Sequence, residues 1–181
     1  WIHKKLEDST TEKVKRYLDD GWSQKDIADQ LGINKSSVSY HVKKLKDEGS
    51  CYVIAEAGLN HNGSVEIAKQ LIDLAFEAGA DAVKFQKRTV DKLAVKATLD
   101  APDDRFPEFG KTYREIREHL EFNMDQFKII KKYTEDKGLD FLCTAFDPEA
   151  VDFLEELGIS IYKLASHSVT NIELLEHLAK I

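Results

Sequence analysis

Two lysines stand inside short apolar segments of this chain, each close to other polar side chains. Lys84 and Gln86 are two positions apart in the segment 82–86, so both side chains fall on one face of a strand. Lys163 lies in a later apolar segment. An unpaired ammonium group is costly to bury. The two lysines therefore predict a negative partner, either Glu56 in a structural ion pair or the phosphate or carboxylate group of a ligand.

Hydroxyl-bearing side chains follow two of the apolar segments. Thr144 lies near the end of the segment 140–145, and Ser166 comes directly after the segment 161–165. Ligands of parallel β/α proteins bind beyond the carboxyl ends of the strands. Because these hydroxyls share strand ends with lysines, they favour the ligand over the purely structural ion pair. Ammonium and hydroxyl groups together suit the oxygens of a phosphate or a carboxylate.

The turn after the first apolar segment is rich in hydrogen-bonding side chains. It contains Asn60, His61 and Asn62, followed by Gly63. The residues alone leave two interpretations open. The three side chains either hold the loop in shape or reach a bound ligand.

From residue 51 onwards, strand-like segments alternate with helical patterns. The strands are predicted near residues 52–55, 82–86, 140–145 and 161–165, and the helices at 65–78, 124–136, 148–157 and from Asn171. This alternation is typical of a parallel sheet that is buried on both faces. Four βα units amount to half of a (β/α)8 TIM barrel. A doubly wound open sheet would show the same alternation.

Within this α/β part, the helix predicted at 65–78 has an apolar face, which we expect to point inward; it consists of Ile67, Leu71, Leu74, Ala75 and Ala78.

The segment 88–123 is a long connection, and loops of this length are often lids or binding loops. Its part 113–120 has a helical pattern, so a partly helical insertion is the alternative.

The first fifty residues have a different organisation. Residues 11–48 predict three short helices, with Val14, Ile27 and Val38 among their inward residues. Ser23 is expected to cap the second helix. A helix, a glycine-containing turn and a second helix are typical of the helix-turn-helix. We therefore divide the chain into a helical module at 1–50 and a β/α part at 51–181.

The segment 26–42 resembles winged-helix and related regulator domains. Its last helix carries side chains that could reach phosphates or base edges of DNA; the candidates are Ser36, Ser37, Ser39, Tyr40 and Lys43. A three-helix module that only contacts protein is the alternative. Residues 1–50 contain ten basic and nine acidic side chains, so their net charge is only +1. This small charge gives little support for strong DNA binding.

The charge of the rest of the chain argues against a general nucleic-acid-binding surface there. Residues 51–181 contain sixteen basic and twenty-four acidic side chains, and the whole chain has a net charge of −7. An acidic domain can still bind a small anion in a pocket whose local potential is positive. No apolar run is long enough for a membrane span, and the first residues do not resemble a signal peptide. We expect a cytoplasmic protein in which Cys51 and Cys143 are free thiols.

Four motifs of the β/α part resemble the sialic acid synthase family. The opening motif Ile-Ala-Glu-Ala-Gly-Leu-Asn-His-Asn-Gly at 54–63 is the most specific. Asp-Ala-Val-Lys-Phe-Gln at 81–86, Phe-Leu-Cys-Thr-Ala-Phe-Asp at 141–147 and Tyr-Lys-Leu-Ala-Ser at 162–166 follow in the same order and spacing. The resemblance covers residues 51–181 and implies a TIM barrel of which this chain contains the first four βα units.

The resemblance also implies a reaction. These enzymes condense phosphoenolpyruvate with the open-chain aldehyde of N-acetylmannosamine or a related amino-sugar. Carried over by motif, the residues that bind phosphoenolpyruvate are Lys84, Thr144, Lys163 and Ser166. Those that face the sugar are Gln86, Phe146 and Ser168. Glu56 lies near the reacting carbons, as a base or an electrostatic partner, and Asn60, His61 and Asn62 support the loop.

The family further implies a divalent metal, Mn²⁺ or Mg²⁺, and a homodimer. Its metal-binding histidines come from later strands, so no metal ligand is assigned to this chain. The chain starts at Trp1 without a methionine and stops at Ile181 within a helical pattern. We therefore expect a fragment that is inactive by itself.

One position departs from the family pattern and leaves the acceptor open. The family usually has a sugar-contacting glutamate two residues after the serine that follows the fourth strand, and here that position is Ser168. Two other functions remain as alternatives. One is another barrel synthase that uses phosphoenolpyruvate, and the other is a helix-turn-helix transcriptional regulator whose β/α segment senses a phosphorylated sugar.

Overall fold

The helical module forms as predicted. The structure, a computed structural model, describes residues 2–3, 10–46 and 51–181. The three helices are α1 (Thr10–Asp19), α2 (Gln24–Leu31) and α3 (Lys35–Lys46). Ser23 caps α2, since its side chain accepts a hydrogen bond from the Asp26 amide at 3.2 Å. The helices share a small core that is built on Val14, Ile27, Ala28 and Val38.

The rest of the described chain forms a sheet covered by helices. Four strands are parallel, namely β2 (Ile54–Gly58), β3 (Ala82–Lys87), β4 (Asp140–Ala145) and β5 (Ile161–Leu164). A short strand β1 (Ile2–His3), which the sequence did not indicate, pairs antiparallel with β5. The sheet order is β1-β5-β4-β3-β2.

Helices connect the parallel strands and cover one face of the sheet. They are α4 (Val65–Glu77), α8 (Met124–Asp136), α9 (Pro148–Leu157) and α10 (Ile172–Leu178). Asp147 caps α9 by accepting a hydrogen bond from the Ala150 amide at 2.8 Å. Val83, Phe85 and Cys143 belong to the core between sheet and helices and are fully buried. The alternation of strands and helices, and with it the parallel sheet, is therefore confirmed.

The first strand lies later in the chain than predicted. The predicted strand at 52–55 is confirmed at Ile54 and Ala55 and wrong at Tyr52 and Val53, which are exposed and precede β2. The strand continues to Gly58, with a shift in its register to β3 between Glu56 and Gly58. Glu56 therefore lies in the middle of the strand.

The inner face of α4 was predicted only in part. Ala68, Ile72 and Ala75 are buried against the sheet, whereas Ile67 and Leu74 are 36% and 59% exposed. The apolar stripe of this helix is wider than the arc that contacts the sheet. Two of the three buried residues are alanines, whose small side chains let the helix pack near the strands.

The long connection between β3 and α8 is partly helical. It contains α5 (Val90–Leu93), α6 (Lys96–Leu99) and α7 (Tyr113–Leu120), which confirms the helix predicted at 113–120. A 3-10 helix (Ser166–Ser168) follows β5. The predicted domain boundary at residue 50 adjoins residues 47–50, which lie outside the described part of the chain. In that described part, no helix is long and apolar enough to cross a membrane.

Adjacent isoleucines in α8 provide a test of this packing. Ile130 is fully buried in the core, and Ile129 is 47% exposed. We expect Ile130→Ala to lower the free energy of unfolding by about 2–5 kcal/mol, because it removes buried methyl groups and leaves a cavity. Ile129→Ala, the matched control, should change it by less than about 1 kcal/mol. Urea denaturation followed by circular dichroism measures both, and equal effects would contradict the packing of α8.

Candidate active site

Strand register brings the predicted polar residues onto one face of the sheet. Gln86 pairs with Thr144 across β3 and β4, and Thr144 pairs with Lys163 across β4 and β5. Glu56 pairs with Lys84 across β2 and β3. Paired residues of neighbouring parallel strands project to the same side, and alternate residues of one strand do so too. These five side chains therefore share the face that is opposite the helices, near the carboxyl ends of the strands.

Lys84 is the buried cation of this face. Lys84 is 2% exposed, and its Nζ lies 2.6 Å from Glu56 Oε1. Lys84 Nζ also donates a hydrogen bond of 3.4 Å to Thr144 Oγ1, which is equally buried. The Glu56 side chain is 60% exposed. The predicted ion pair is therefore present, but its carboxylate end is open to solvent and to any ligand at the strand ends.

Lys163 is placed differently. It is half-buried beside Thr144, and its ammonium makes no hydrogen bond or ion pair with any described residue. Ser166 lies exposed at the start of the 3-10 helix, whereas Ser168, at the end of this helix, is 3% exposed. An uncompensated ammonium next to a buried hydroxyl and a buried lysine is an arrangement that attracts a small anion.

Aromatic and cationic side chains meet beyond the end of β3. The guanidinium of Arg88 stacks over the ring of Phe146, with 4.1 Å between its central carbon and the ring centroid. Arg88 also donates a hydrogen bond to the side-chain oxygen of Gln86. The His167 ring lies on Phe146 with 5.4 Å between centroids. Two of the three predicted sugar-facing residues, Gln86 and Phe146, are therefore joined by Arg88.

Arg88 and His167 were not among the predicted site residues. The signal for Arg88 was present, because it continues the alternate positions of Lys84 and Gln86 at the end of β3. The position of His167 was visible beside Ser166, but nothing in the sequence indicated its contact with Phe146.

Glu121 was also missed, and it anchors the long connection to the end of β3. Its carboxylate lies 3.2 Å from Lys87 Nζ and 3.8 Å from Arg88 Nη1, and it accepts a 3.1 Å hydrogen bond from the Arg88 amide. Burial raises the pKa of Glu121, and the two cations act against this rise. One carboxylate thus balances two cations, so this end of the sheet keeps positive charge.

The loop after β2 is held by contacts of its own side chains. His61 is 2% exposed, stacks on Phe122 at 4.0 Å between centroids, and accepts a 3.1 Å hydrogen bond from the Gly63 amide at Nδ1. Asn60 and Asn62 are exposed. The contacts of His61 agree with the loop-shaping interpretation. Burial lowers the pKa of His61 to about 4, so its ring is neutral at pH 7.

The DNA-contact candidates of α3 divide into two groups. Ser36 and Ser39 are exposed, and their hydroxyls donate to Asn34 and Gln24 within the module. Ser37 and Tyr40 contact the β/α part instead. The remaining candidate, Lys43, belongs to α3, but its side chain lies outside the described part.

No metal centre is assembled by the described residues, among which no three His, Cys, Asp or Glu side chains are grouped to hold an ion. Cys51 is exposed and Cys143 is buried, and both are free thiols, as predicted. The four parallel strands, covered by helices on one face, define part of a β/α barrel. The polar residues lie at the end of the strands where this fold binds its ligands.

Comparison with known proteins identifies the barrel. The NeuB family profile matches residues 71–181, and the profile described as winged helix-turn-helix DNA-binding matches residues 14–49. The chain belongs to the NeuB family, that of the sialic acid synthases. The resemblance that the four motifs carry is therefore confirmed at the level of the family.

The similar proteins include synthases that are named for different products. The chain is similar to N-acetylneuraminate-9-phosphate synthase of Homo sapiens, with 39% identity over 130 residues, which are 72% of this chain and 36% of that protein. It is similar to N,N'-diacetyllegionaminic acid synthase of Legionella pneumophila, with 37% identity over 143 residues, 76% of this chain and 40% of that protein. The chain thus spans less than half the length of these relatives.

Solved structures agree with this assignment. The chain resembles the N-acetylneuraminic acid synthetase of Leptospira borgpetersenii with a TM-score of 0.56 and 33% identity, covering 71% of this chain and 41% of that one. It resembles the spore coat polysaccharide biosynthesis protein SpsE of Bacillus subtilis with a TM-score of 0.53 and 30% identity, covering 74% and 34%. Its four parallel strands correspond to part of the TIM barrel of this family.

The buried neutral His61 predicts a dependence of stability on pH. Its pKa is about 4 in the folded protein, below the ordinary value near 6.5 in the unfolded chain, so the unfolded state gains a proton first as pH falls. The loss of stability begins below about pH 6.5 and is complete below about pH 4; at pH 5 it amounts to about 2 kcal/mol.

Urea unfolding at pH 7 and pH 5 measures this loss, and His61→Phe keeps the ring stack on Phe122 but cannot titrate. The wild-type chain should lose about 2 kcal/mol more than the variant between the two pH values. NMR titration of the His61 ring gives its pKa directly. Equal losses in both proteins, or a ring pKa near 6.5, would show that His61 is not buried in its neutral form.

Proposed function

We propose that this chain is part of a synthase that condenses phosphoenolpyruvate with N-acetylmannosamine or a related amino-sugar to give a nonulosonic acid and phosphate. The observation that carries the proposal is the row of Lys84, Thr144 and Lys163 on one face of the sheet. Membership of the NeuB family supports the reaction. The homologous synthases make acids of this class.

The charges of the site suit phosphoenolpyruvate. This substrate carries a phosphate and a carboxylate, and Lys84 and Lys163 offer two ammonium groups on neighbouring parts of the sheet. Thr144 lies between them and is already hydrogen-bonded to Lys84. Ser166 adds an exposed hydroxyl after β5. We assign the phosphate and carboxylate to these four residues, because charge-assisted bonds to ammonium groups are the strongest available here.

In the reaction, the methylene carbon of phosphoenolpyruvate forms a new C–C bond with the aldehyde carbon of the open-chain sugar, while the C=C π bond opens and the aldehyde oxygen takes up a proton. Water adds to the carbon that bears the phosphate, and the C–O bond breaks to release inorganic phosphate. Glu56 is the exposed carboxylate next to Lys84. It is suitably placed to accept a proton from the water or to stabilise positive charge that develops at the enol carbon.

The acceptor sugar is assigned to the Gln86 side of the site. Because Arg88 donates to the Gln86 side-chain oxygen, the Gln86 nitrogen remains available to donate to a sugar oxygen. Phe146 offers an apolar ring face that is fixed between Arg88 and His167. Ser168 stands where the family pattern has glutamate, so the proposed acceptors include amino-sugars related to N-acetylmannosamine as well as N-acetylmannosamine itself.

The divalent metal implied by the family has no fitting set of ligands among the described residues. We therefore derive no step through it and assign no metal role to this chain. The homodimer that the family implies is likewise part of the proposal for the complete enzyme.

A second candidate function is DNA binding by α1–α3, favoured by the match of residues 14–49 to a winged helix-turn-helix family. It would make the chain a regulator whose β/α part senses a phosphorylated ligand. That function requires DNA affinity that falls with salt and changes when phosphoenolpyruvate is added. The synthase requires neither.

Phosphate release tests the proposed reaction in the complete gene product that contains these residues. The enzyme is assayed with phosphoenolpyruvate, Mn²⁺ or Mg²⁺, and a panel of 2-acetamido sugars, each free and 6-phosphorylated. Sugar-dependent release is expected with one member of the panel. Lys163→Ala should lower kcat/KM about 100-fold or more, because it removes an ammonium group from the charged substrate.

Lys132→Ala is the matched control, since Lys132 is an exposed lysine of α8 that pairs with Asp136. It should keep the parent activity. If no sugar supports phosphate release by folded enzyme, the synthase proposal is wrong. If Lys163→Ala and Lys132→Ala behave alike, the phosphoenolpyruvate site lies elsewhere.

A further inference from the structure

Helix α3 docks onto the β/α part through the side chains of its outer surface. The Tyr40 hydroxyl lies 2.7 Å from the carbonyl oxygen of Gly79 and 2.6 Å from that of Ala80, and it donates its hydrogen to this pair. His41 Nε2 lies 2.5 Å from the carbonyl oxygen of Gly138. Because a carbonyl only accepts, the His41 ring carries its proton on Nε2.

The docking site is the amino-terminal end of the sheet. Gly79 and Ala80 precede β3, and Gly138 precedes β4. The proposed active site, with Lys84, Thr144 and Lys163, lies toward the other end of the sheet. Further contacts come from the Asn34 side chain, which donates to the Asp136 carbonyl at 3.2 Å, and from the Tyr40 ring, which packs on Phe76 with 5.6 Å between centroids.

The contact surface is closely fitted. Ser37 and His41 are 0% and 1% exposed. Gly138 lies so close to both that a Cβ atom at this position would stand 3.0 Å from Ser37 Cβ and 2.8 Å from His41 Nε2. Glycine is thus needed there for two reasons, the close approach of α3 and the positive φ of +78°.

Insertion of α3 into DNA requires the space that the β/α part occupies. An α-helix with its side chains is about 10–12 Å wide and the major groove is about 12 Å wide, so groove walls flank the helix on both sides. In this chain one flank of α3 is within hydrogen-bonding distance of Gly79, Ala80 and Gly138. Residues 51–181 contain sixteen basic and twenty-four acidic side chains, and this excess of eight negative charges would also repel the phosphates.

We propose that the β/α part and duplex DNA compete for α3, so that the docked module is closed to DNA and the undocked module binds it. The inference rests on the second candidate function, DNA binding by α1–α3, because it names duplex DNA as the competitor. It is independent of the synthase chemistry. Because coupling between two binding events is reciprocal, DNA should also loosen the docking of α3.

A bulkier residue at Gly138, in the β/α part, tests the competition and leaves the sequence of the helix-turn-helix unchanged. Gly138→Asn places a side chain against Ser37 and His41, and asparagine tolerates a positive φ better than most residues. Gly158→Asn is the matched control. Gly158 has a φ of +75° at the end of α9, and a Cβ atom there meets nothing within 4 Å.

Two measurements are made on the whole chain and both variants. Hydrogen–deuterium exchange of the α3 amides reports undocking, and fluorescence anisotropy with a labelled duplex of mixed sequence at low salt reports DNA affinity. Gly138→Asn should raise exchange in α3 and bind the duplex about tenfold or more tightly than the parent, with affinity that falls as salt is added. Gly158→Asn should match the parent in both.

Faster exchange in α3 of Gly138→Asn with no gain in duplex affinity would overturn the inference. If neither protein then binds the duplex, the DNA-binding candidate is removed as well; if both bind it equally, only the competition is wrong. If Gly138→Asn alone leaves exchange unchanged, Gly79→Asn is added, because a Cβ atom at Gly79 lies 4.0 Å from the Tyr40 ring. The same comparison of exchange and duplex affinity in the double variant then decides.

Discussion

The ammonium group of Lys84, buried in a sheet of apolar strands, is the interaction on which the organisation of this site depends. A buried charge requires an opposite charge and hydrogen bonds, and Lys84 obtains them from Glu56 and Thr144 on the two neighbouring strands. Both partners therefore have to be in register with β3. The register in turn places Gln86 beside Thr144 and Thr144 beside Lys163. The charge at the strand ends is thus set by the same pairings that build the sheet.

The helical insertion between β3 and α8 stabilises this arrangement. Glu121 reaches from the end of α7 to Lys87 and Arg88, and it holds the end of β3 against the insertion. Arg88 then fixes Gln86 and Phe146 relative to each other. His61 and Phe122 pack the loop after β2 against the same insertion. Residues that no motif singles out therefore position those that the motifs contain.

The two ends of the sheet have separate roles in this chain. The carboxyl ends carry the cations and hydroxyls of the proposed synthase, and the amino ends carry the backbone carbonyls that accept hydrogen bonds from α3. The helical module therefore contacts the barrel without covering the proposed active site. This separation is compatible with the synthase function and with a second activity of the module that depends on its docking.

The sequence by itself determined the order of strands and helices, the three-helix module and the residues that carry charge into the sheet, because periodicity and motifs are local properties of the chain. It also carried the family resemblance. Only the tertiary structure decided that β2 begins at Ile54, that Ala68 and Ile72 of α4 are buried while Leu74 is exposed, and that Arg88, Glu121 and His167 join the strand ends. It likewise decided that Ser37 and Tyr40 contact the barrel. These features depend on which surfaces meet in space, and residues far apart in the chain do not record that contact in their own spacing.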